Sequence, residues 1–197
     1  HRNAVSLFNA SKSYFNFNET DVWTMFHSYS FDFSVWEIFG ALLHGGKLVI
    51  IPKIIAQDSI SYLKLLKNER VTVLNQTPSA FYNLSKTTFD TEQYSNALDL
   101  KYIIFGGEAL DPNRLKKWKE AYPTTKLINM YGITETTVHV TYKEITLAEI
   151  NKGISNIGIP IPSMNCYILD QNQQLLPVGI SGELYVGGLG VSRGYLK

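Results

Sequence analysis

The sequence is poor in cysteine, in net charge and in long apolar runs, and each shortage excludes a class of protein. A single cysteine, Cys166, in 197 residues excludes an internal disulfide and is typical of a reducing compartment, so we expect a cytoplasmic location. A net charge of +1 gives no electrostatic basis for binding nucleic acid. No apolar run approaches the roughly 20 residues that cross a bilayer. The sequence therefore predicts neither a nucleic-acid partner nor a membrane partner.

Short apolar runs alternate with amphipathic segments through the first part of the chain. This rhythm predicts an α/β fold with a mostly parallel sheet flanked by helices. From Gly153 onward glycine and proline become frequent, and short β runs around Tyr167 and Tyr185 predict a small antiparallel β subdomain. We therefore divide the chain into a parallel α/β subdomain at 1–142 and a partial, barrel-like β subdomain at 143–197.

Local signals place the individual elements. Strands are predicted at 22–26, 47–52, 71–74, 100–105 and 127–130, and helices at 4–15, 34–43, 58–68, from 78 onward and at 111–122. The run at 47–52 is expected to be a buried strand, because it is apolar throughout after its first residue. The first residue is not Met, and the last residues follow a strand-like motif directly. We expect a piece of a longer polypeptide.

The segment 129–137 (Asn-Met-Tyr-Gly-Ile-Thr-Glu-Thr-Thr) follows a predicted strand and combines several ligand-binding groups. Open α/β sheets bind ligands at the carboxyl ends of their strands. There Tyr131 can stack on a base, and Gly132 lets the backbone approach a ligand closely. Thr134 can donate to a phosphate, and Glu135 can hold Mg²⁺ beside it. A polar turn with a solvated glutamate explains this segment alone equally well.

The segment 31–37 (Phe-Asp-Phe-Ser-Val-Trp-Glu) lies at a predicted strand-to-helix junction. Asp32 or Ser34 could simply cap the helix, which needs only a small polar side chain. Alternatively, Asp32 is a carboxylate in an apolar pocket, where desolvation is costly unless a cation neutralises it. The ammonium group of a substrate would be such a cation.

Other signals are weak alone. The glycines at 106–107 permit close approach of a ligand, but paired glycines are common between strand and helix. The glycine-rich segment 182–196 lacks the ending of a phosphate-binding loop and by itself predicts a β-hairpin with tight turns. His27 is expected to be a satisfied, partly buried side chain. His139 differs because it follows Glu135 on the same segment.

Taken together, the motifs at 30–37, 129–135 and 182–196 occur in the order and spacing of one family. The chain closely resembles the central part of amino-acid adenylation domains of nonribosomal peptide synthetases, in the superfamily of acyl-CoA synthetases and luciferases. The resemblance extends over the whole chain. It implies that an amino acid reacts with Mg·ATP to give aminoacyl-AMP and pyrophosphate. It further implies transfer to the phosphopantetheine thiol of a peptidyl carrier protein, beside neighbouring synthetase domains.

The resemblance also assigns roles around the nucleotide. It implies two catalytic residues, Thr134 at the α-phosphate and Glu135 at Mg²⁺. Nucleotide-binding residues are expected to surround them, namely Gly107, Glu108, Asn129, Tyr131 and Thr134. Among these, Tyr131 would stack on adenine and Asn129 would hydrogen-bond its amino group.

For the amino acid, the resemblance implies that Asp32 binds the α-ammonium group. The implied pocket consists of Asp32, Phe33, Trp36, Asn75, Ile104, Gly106, Met130, Val138 and His139. This set is similar to pockets associated with threonine. Asn75 and His139 could hydrogen-bond a hydroxyl, while Val138, Met130 and Trp36 could pack a methyl group. Such a pocket should bind valine poorly and serine moderately.

The chain departs from the family pattern at both ends. The loop that handles the β- and γ-phosphates is expected before His1. The ribose-binding aspartate and the C-terminal domain with its catalytic lysine are expected after Lys197. We therefore expect no measurable adenylation by the isolated chain. A non-catalytic folding or binding module remains an alternative, as does a fragment of an acyl-CoA ligase, against which Asp32 argues.

Overall fold

The structure, a computed structural model, describes residues 1–91 and 97–195. A seven-stranded sheet has the strand order β2-β1-β3-β4-β5-β6-β7. Its strands are β1 (Val22–Met25), β2 (Lys47–Ile50), β3 (Val73–Gln76), β4 (Tyr102–Phe105), β5 (Lys126–Asn129), β6 (Thr141–Ile145) and β7 (Ile159–Pro160). Strands β1 to β5 are parallel, and β6 and β7 are antiparallel to their neighbours. A separate antiparallel pair joins β8 (Met164–Leu169) to β9 (Glu183–Gly188). The predicted fold class is confirmed.

Helices connect the parallel strands. They are α1 (Arg2–Ser11), α2 (Phe33–Leu42), α3 (Lys53–Ala56), α4 (Ser59–Asn68), α5 (Pro78–Asp90), α6 (Lys116–Ala121) and α7 (Leu147–Lys152). Short 3-10 turns cover Pro112–Leu115 and Thr134–Thr136. The helix starts follow capping chemistry, because Asp58 accepts from the Ser61 amide and Pro78 is the first residue of α5.

The sheet separates two apolar cores. Neighbouring side chains of β4 enter different clusters: Ile103 packs in the cluster of Trp118, and Ile104 in that of Trp36. Because successive strand residues point to opposite faces, the two clusters cover the two faces of the sheet. Helix α2 therefore brings its first residues to the face that also holds Met130.

Two local predictions are wrong. The run at 47–52 is not a buried strand, because β2 lies at the edge of the sheet and Ile50 is 70% exposed. An apolar run cannot reveal whether a second strand will cover it. The segment 182–196 does not form a hairpin within itself, because β9 pairs with β8 upstream. Residue Leu196 of that segment lies outside the described residues, as does Lys197.

The predicted division after residue 142 falls inside β6, which pairs with β5 of the main sheet. The two-subdomain organisation therefore stays a prediction. Within residues 1–91 and 97–195, no helix is both long and apolar enough to cross a membrane.

Candidate functional site

The predicted motifs meet in a cavity at the carboxyl ends of β4 and β5. This first cavity has a volume of about 290 Å³ and is lined by residues 31–33, 106–107 and several residues between 130 and 139. Tyr195, which the sequence analysis did not single out, also lines it. The location is the one that open α/β sheets use for ligands.

A second cavity of about 320 Å³ adjoins the first one. The two share Gly107, Met130, Gly132 and Ile133 in their walls. The second cavity is also lined by residues predicted to bind the nucleotide: Glu108, Asn129 and Tyr131. The structure thus brings the predicted amino-acid and nucleotide residues into neighbouring spaces with a common wall.

The carboxylate of Asp32 is not used by the helix that follows it. Asp32 occupies the N-cap position of α2, yet its side chain makes no capping hydrogen bond. It is half-buried in the wall of the first cavity, which it shares with Glu135 and His139. The capping explanation for an aspartate at this position therefore does not account for it, and its oxygens face a space that a ligand can enter.

The imidazole of His139 lies in the wall of the first cavity between aromatic rings. Its ring meets those of Phe33 and Trp36 edge-on, at centroid distances of 5.2 and 4.9 Å. Both ring nitrogens are buried and have no hydrogen-bond partner among the described residues. Burial lowers the pKa of His139 to about 3, so the ring is neutral and offers one donor and one acceptor.

Not every predicted pocket residue reaches open space. Asp32, Phe33, Gly106, Met130, Val138 and His139 line the first cavity. Trp36, Asn75 and Ile104 are fully buried in the layer behind it. There the Trp36 indole donates to the Asn75 amide oxygen at 3.1 Å, while the Asn75 amide nitrogen has no partner in the described part of the chain.

A strained turn holds His139 in the cavity wall. Thr137 and Val138 adopt positive φ values of 64° and 67°, which non-glycine residues rarely do. The turn passes so close to Gly132 that a Cβ there would lie 2.2 Å from the Val138 carbonyl oxygen. Gly132 is therefore required for this packing, and backbone strain of this kind is frequent at binding sites.

The predicted nucleotide-binding side chains are partly engaged within the chain. The Asn129 amide nitrogen donates to the Asn156 carbonyl at 2.9 Å. The Glu108 carboxylate accepts from the amide and the hydroxyl of Ser79 at 3.1 and 2.8 Å, at the start of α5. Only the backbone of Glu108 is therefore readily available to a ligand. The Tyr131 ring lines the second cavity.

Thr134 and Glu135 are exposed in a 3-10 turn and line the first cavity. The described residues contain no cluster of three or more histidine, cysteine or acidic side chains that could hold a metal ion. One exposed carboxylate fits Mg²⁺ nonetheless, because this ion is commonly held by one or two carboxylates together with substrate phosphates. The Tyr195 hydroxyl donates to the Glu135 Oε1 atom at 3.0 Å. The sequence offered no local signal for this contact.

His27 is partly satisfied, as its sequence context indicates. Its Nδ1 atom lies 3.0 Å from Glu37 Oε1, while Nε2 has no partner among the described residues. The Glu37 carboxylate also accepts from the amides of Phe26 and His27. Burial raises the pKa of Glu37, and the contact with His27 opposes that shift. The His27 ring stacks on Phe33 at 4.7 Å.

Known proteins similar to this chain are multidomain synthetases. A plipastatin synthase of Bacillus subtilis is 55% identical in one of its polypeptides over 197 residues, 100% of this chain and 8% of that polypeptide. A dimodular nonribosomal peptide synthase of the same organism is 52% identical, again over 100% of this chain and 8% of the relative. Syringomycin synthase SyrB1 of Pseudomonas syringae is 42% identical, and the match covers 100% of this chain and 32% of that protein. The chain therefore spans only a small part of these relatives.

A solved structure and a family model agree with the fold. The crystal structure of IdnL7 superposes with a TM-score of 0.84 at 25% identity, over 99% of this chain and 39% of that one. The model of AMP-binding enzymes matches residues 1–196. The chain therefore belongs to the family of AMP-binding enzymes.

Proposed function

We propose that the chain forms the amino-acid and adenine pockets of an enzyme that activates an amino acid, L-threonine in our assignment, as aminoacyl-AMP. The activated amino acid is then loaded onto the phosphopantetheine of a peptidyl carrier protein for nonribosomal peptide synthesis. The supporting observation is the uncapped Asp32 carboxylate in one cavity with the neutral His139 ring. A carboxylate for the ammonium group and hydrogen-bonding groups for the side chain are what a small polar amino acid requires.

Burial explains the preference for threonine. The His139 nitrogens and the Asn75 amide nitrogen are buried without partners among the described residues, and each such group costs free energy until a ligand satisfies it. A hydroxyl can both donate and accept, which matches a neutral imidazole. Met130 and Val138 add apolar wall beside it, where the threonine methyl group packs. Valine leaves the polar groups unpaired and is rejected.

The nucleotide occupies the adjoining space. Tyr131 stacks on adenine, and Gly107 and Glu108 contribute backbone. Because the Asn129 amide nitrogen is engaged by Asn156, its amide oxygen accepts from the adenine amino group. Thr134 contacts the α-phosphate, and Glu135 with the phosphates holds Mg²⁺. The ion supplies charge neutralisation to the phosphates, and positioning by these residues provides the rest of the rate enhancement.

Pyrophosphate exchange tests the assignment. The assay uses the complete polypeptide in which this sequence occurs, with each amino acid and with fatty acids. We expect threonine to stimulate exchange and Asp32→Ala to abolish that stimulation. Asp99→Ala is the matched control, because Asp99 is an exposed residue paired with Arg70 outside both cavities. Full threonine-dependent exchange by Asp32→Ala would overturn the role of Asp32, and stimulation by fatty acids would favour an acyl-CoA ligase. The isolated chain is expected to be inactive in the same assay.

A further inference from the structure

The segment after β9 crosses the turn that carries Glu135. We call residues 188–195 the strap. The Ser192 amide donates to the Glu135 carbonyl at 2.7 Å. Beside it, the Thr137 hydroxyl donates to the Gly190 carbonyl at 2.6 Å. The strap therefore holds the backbone on both sides of the catalytic turn.

Two further features fix the strap in place. The Asn3 amide donates to the carbonyls of Gly190 and Val191 at 3.0 and 3.1 Å, and to the Thr137 hydroxyl at 3.3 Å. Gly190 packs so tightly that a Cβ there would lie 2.7 Å from the Thr136 carbonyl oxygen. Helix α1, the strap and the turn are thus joined at one point, so the position of the strap end is defined.

The last described residue of the strap reaches the site itself. The Tyr195 hydroxyl lies 3.0 Å from Glu135 Oε1, and its ring lines the first cavity with Asp32. The hydrogen bond to Glu135 and the negative charges of Glu135 and Asp32 raise the pKa of Tyr195. The phenol therefore keeps its proton and remains a donor to the carboxylate.

We propose that Tyr195 is a positioning residue for the Glu135 carboxylate, which it holds by one oxygen so that the other is presented to the divalent cation. The proposal rests on the metal role of Glu135 in the proposed function. Glu135 is an exposed side chain on a turn, and an unrestrained glutamate loses rotamer freedom when it binds a ligand. A hydrogen bond that fixes its orientation in advance reduces that loss, as outer-shell partners of metal ligands generally do.

The test measures metal binding rather than activity. Mn²⁺ replaces Mg²⁺ as a probe visible by electron paramagnetic resonance, together with α,β-methylene-ATP, in the complete polypeptide. The compared proteins are the wild type, Tyr195→Phe, Glu135→Gln and Tyr167→Phe. Tyr167 is the matched control because it is a half-exposed tyrosine on β8 that lines neither cavity. Nucleotide sites elsewhere in the polypeptide contribute the same background to all four proteins.

The outcomes separate the two proposals. We expect Tyr195→Phe to weaken Mn²⁺ binding about tenfold, the lower end of the effect of removing an outer-shell partner, and Tyr167→Phe to bind as the wild type does. If Tyr195→Phe binds Mn²⁺ as tightly as the control, or more tightly, while Glu135→Gln binds poorly, the role of Tyr195 is overturned and that of Glu135 stands. If Glu135→Gln binds as the wild type does, the metal role in the proposed function fails.

Discussion

Two histidines contact the same ring, Phe33, and the chain treats them in opposite ways. His27 stacks on that ring and has a carboxylate partner, Glu37, inside the protein. His139 meets the ring edge-on, and neither of its nitrogens has a partner among the described residues. A buried polar group that the fold leaves unpaired costs stability. We therefore interpret His27 as part of the scaffold and His139 as a group reserved for a ligand.

The largest effect should come from breaking the scaffold pair. Glu37→Ala removes a fully buried carboxylate that three groups contact: the His27 ring and the amides of Phe26 and His27. Breaking a buried pair by removing one partner costs about 3–5 kcal/mol, and we expect that loss in the free energy of unfolding. Urea denaturation of the 197-residue chain measures it. A loss below about 1 kcal/mol, typical of an exposed pair, would show that the pair is no part of the scaffold.

The next effect concerns selectivity. His139→Leu removes the unpaired nitrogens but keeps an apolar side chain, so we expect the preference for threonine over valine in pyrophosphate exchange to fall. A hydrogen bond to a substrate group contributes about 1.5–3 kcal/mol when it is buried or charged, which corresponds to roughly a 10- to 100-fold change. Phe39→Leu on exposed α2 surface is a control that should retain the preference. An unchanged ratio in His139→Leu would mean that His139 does not read the hydroxyl.

Local chemistry made much of this arrangement predictable. The start of α5 at Pro78 and the cap at Asp58 depend on neighbouring residues, and both occur as expected. The edge position of β2 was not predictable, because it depends on which strands are added elsewhere in the sheet. The contact between Tyr195 and Glu135 joins residues 60 positions apart. It depends on where β9 ends relative to the turn, which no local pattern encodes.

The same rule applies to the depth of the pocket. Asp32 and Trp36 belong to one motif, yet Asp32 lines the cavity and Trp36 lies completely buried behind His139. A motif identifies both residues but cannot say which of them reaches open space, because that depends on how closely α2 packs on the sheet.

The smallest effect is a pH dependence that distinguishes the two histidines. Burial lowers the pKa of His139 to about 3 from an ordinary value of 6.5, so below pH 6.5 the unfolded chain takes up a proton that the folded chain refuses. Stability is therefore complete above pH 6.5 and is lost as the pH falls toward 3. Between pH 6.5 and 5 the loss amounts to roughly 2 kcal/mol at 1.36 kcal/mol per pH unit.

Comparison with His139→Leu isolates this loss, because both proteins keep the His27–Glu37 pair and its own titration. Urea denaturation at pH 6.5, 5.8 and 5 should give two curves that diverge as the pH falls, with the variant gaining on the wild type at each step. Parallel curves would mean that the folded chain protonates His139 freely. The imidazole would then be accessible to water rather than held neutral, and the physical basis for its selectivity toward a hydroxyl would be lost.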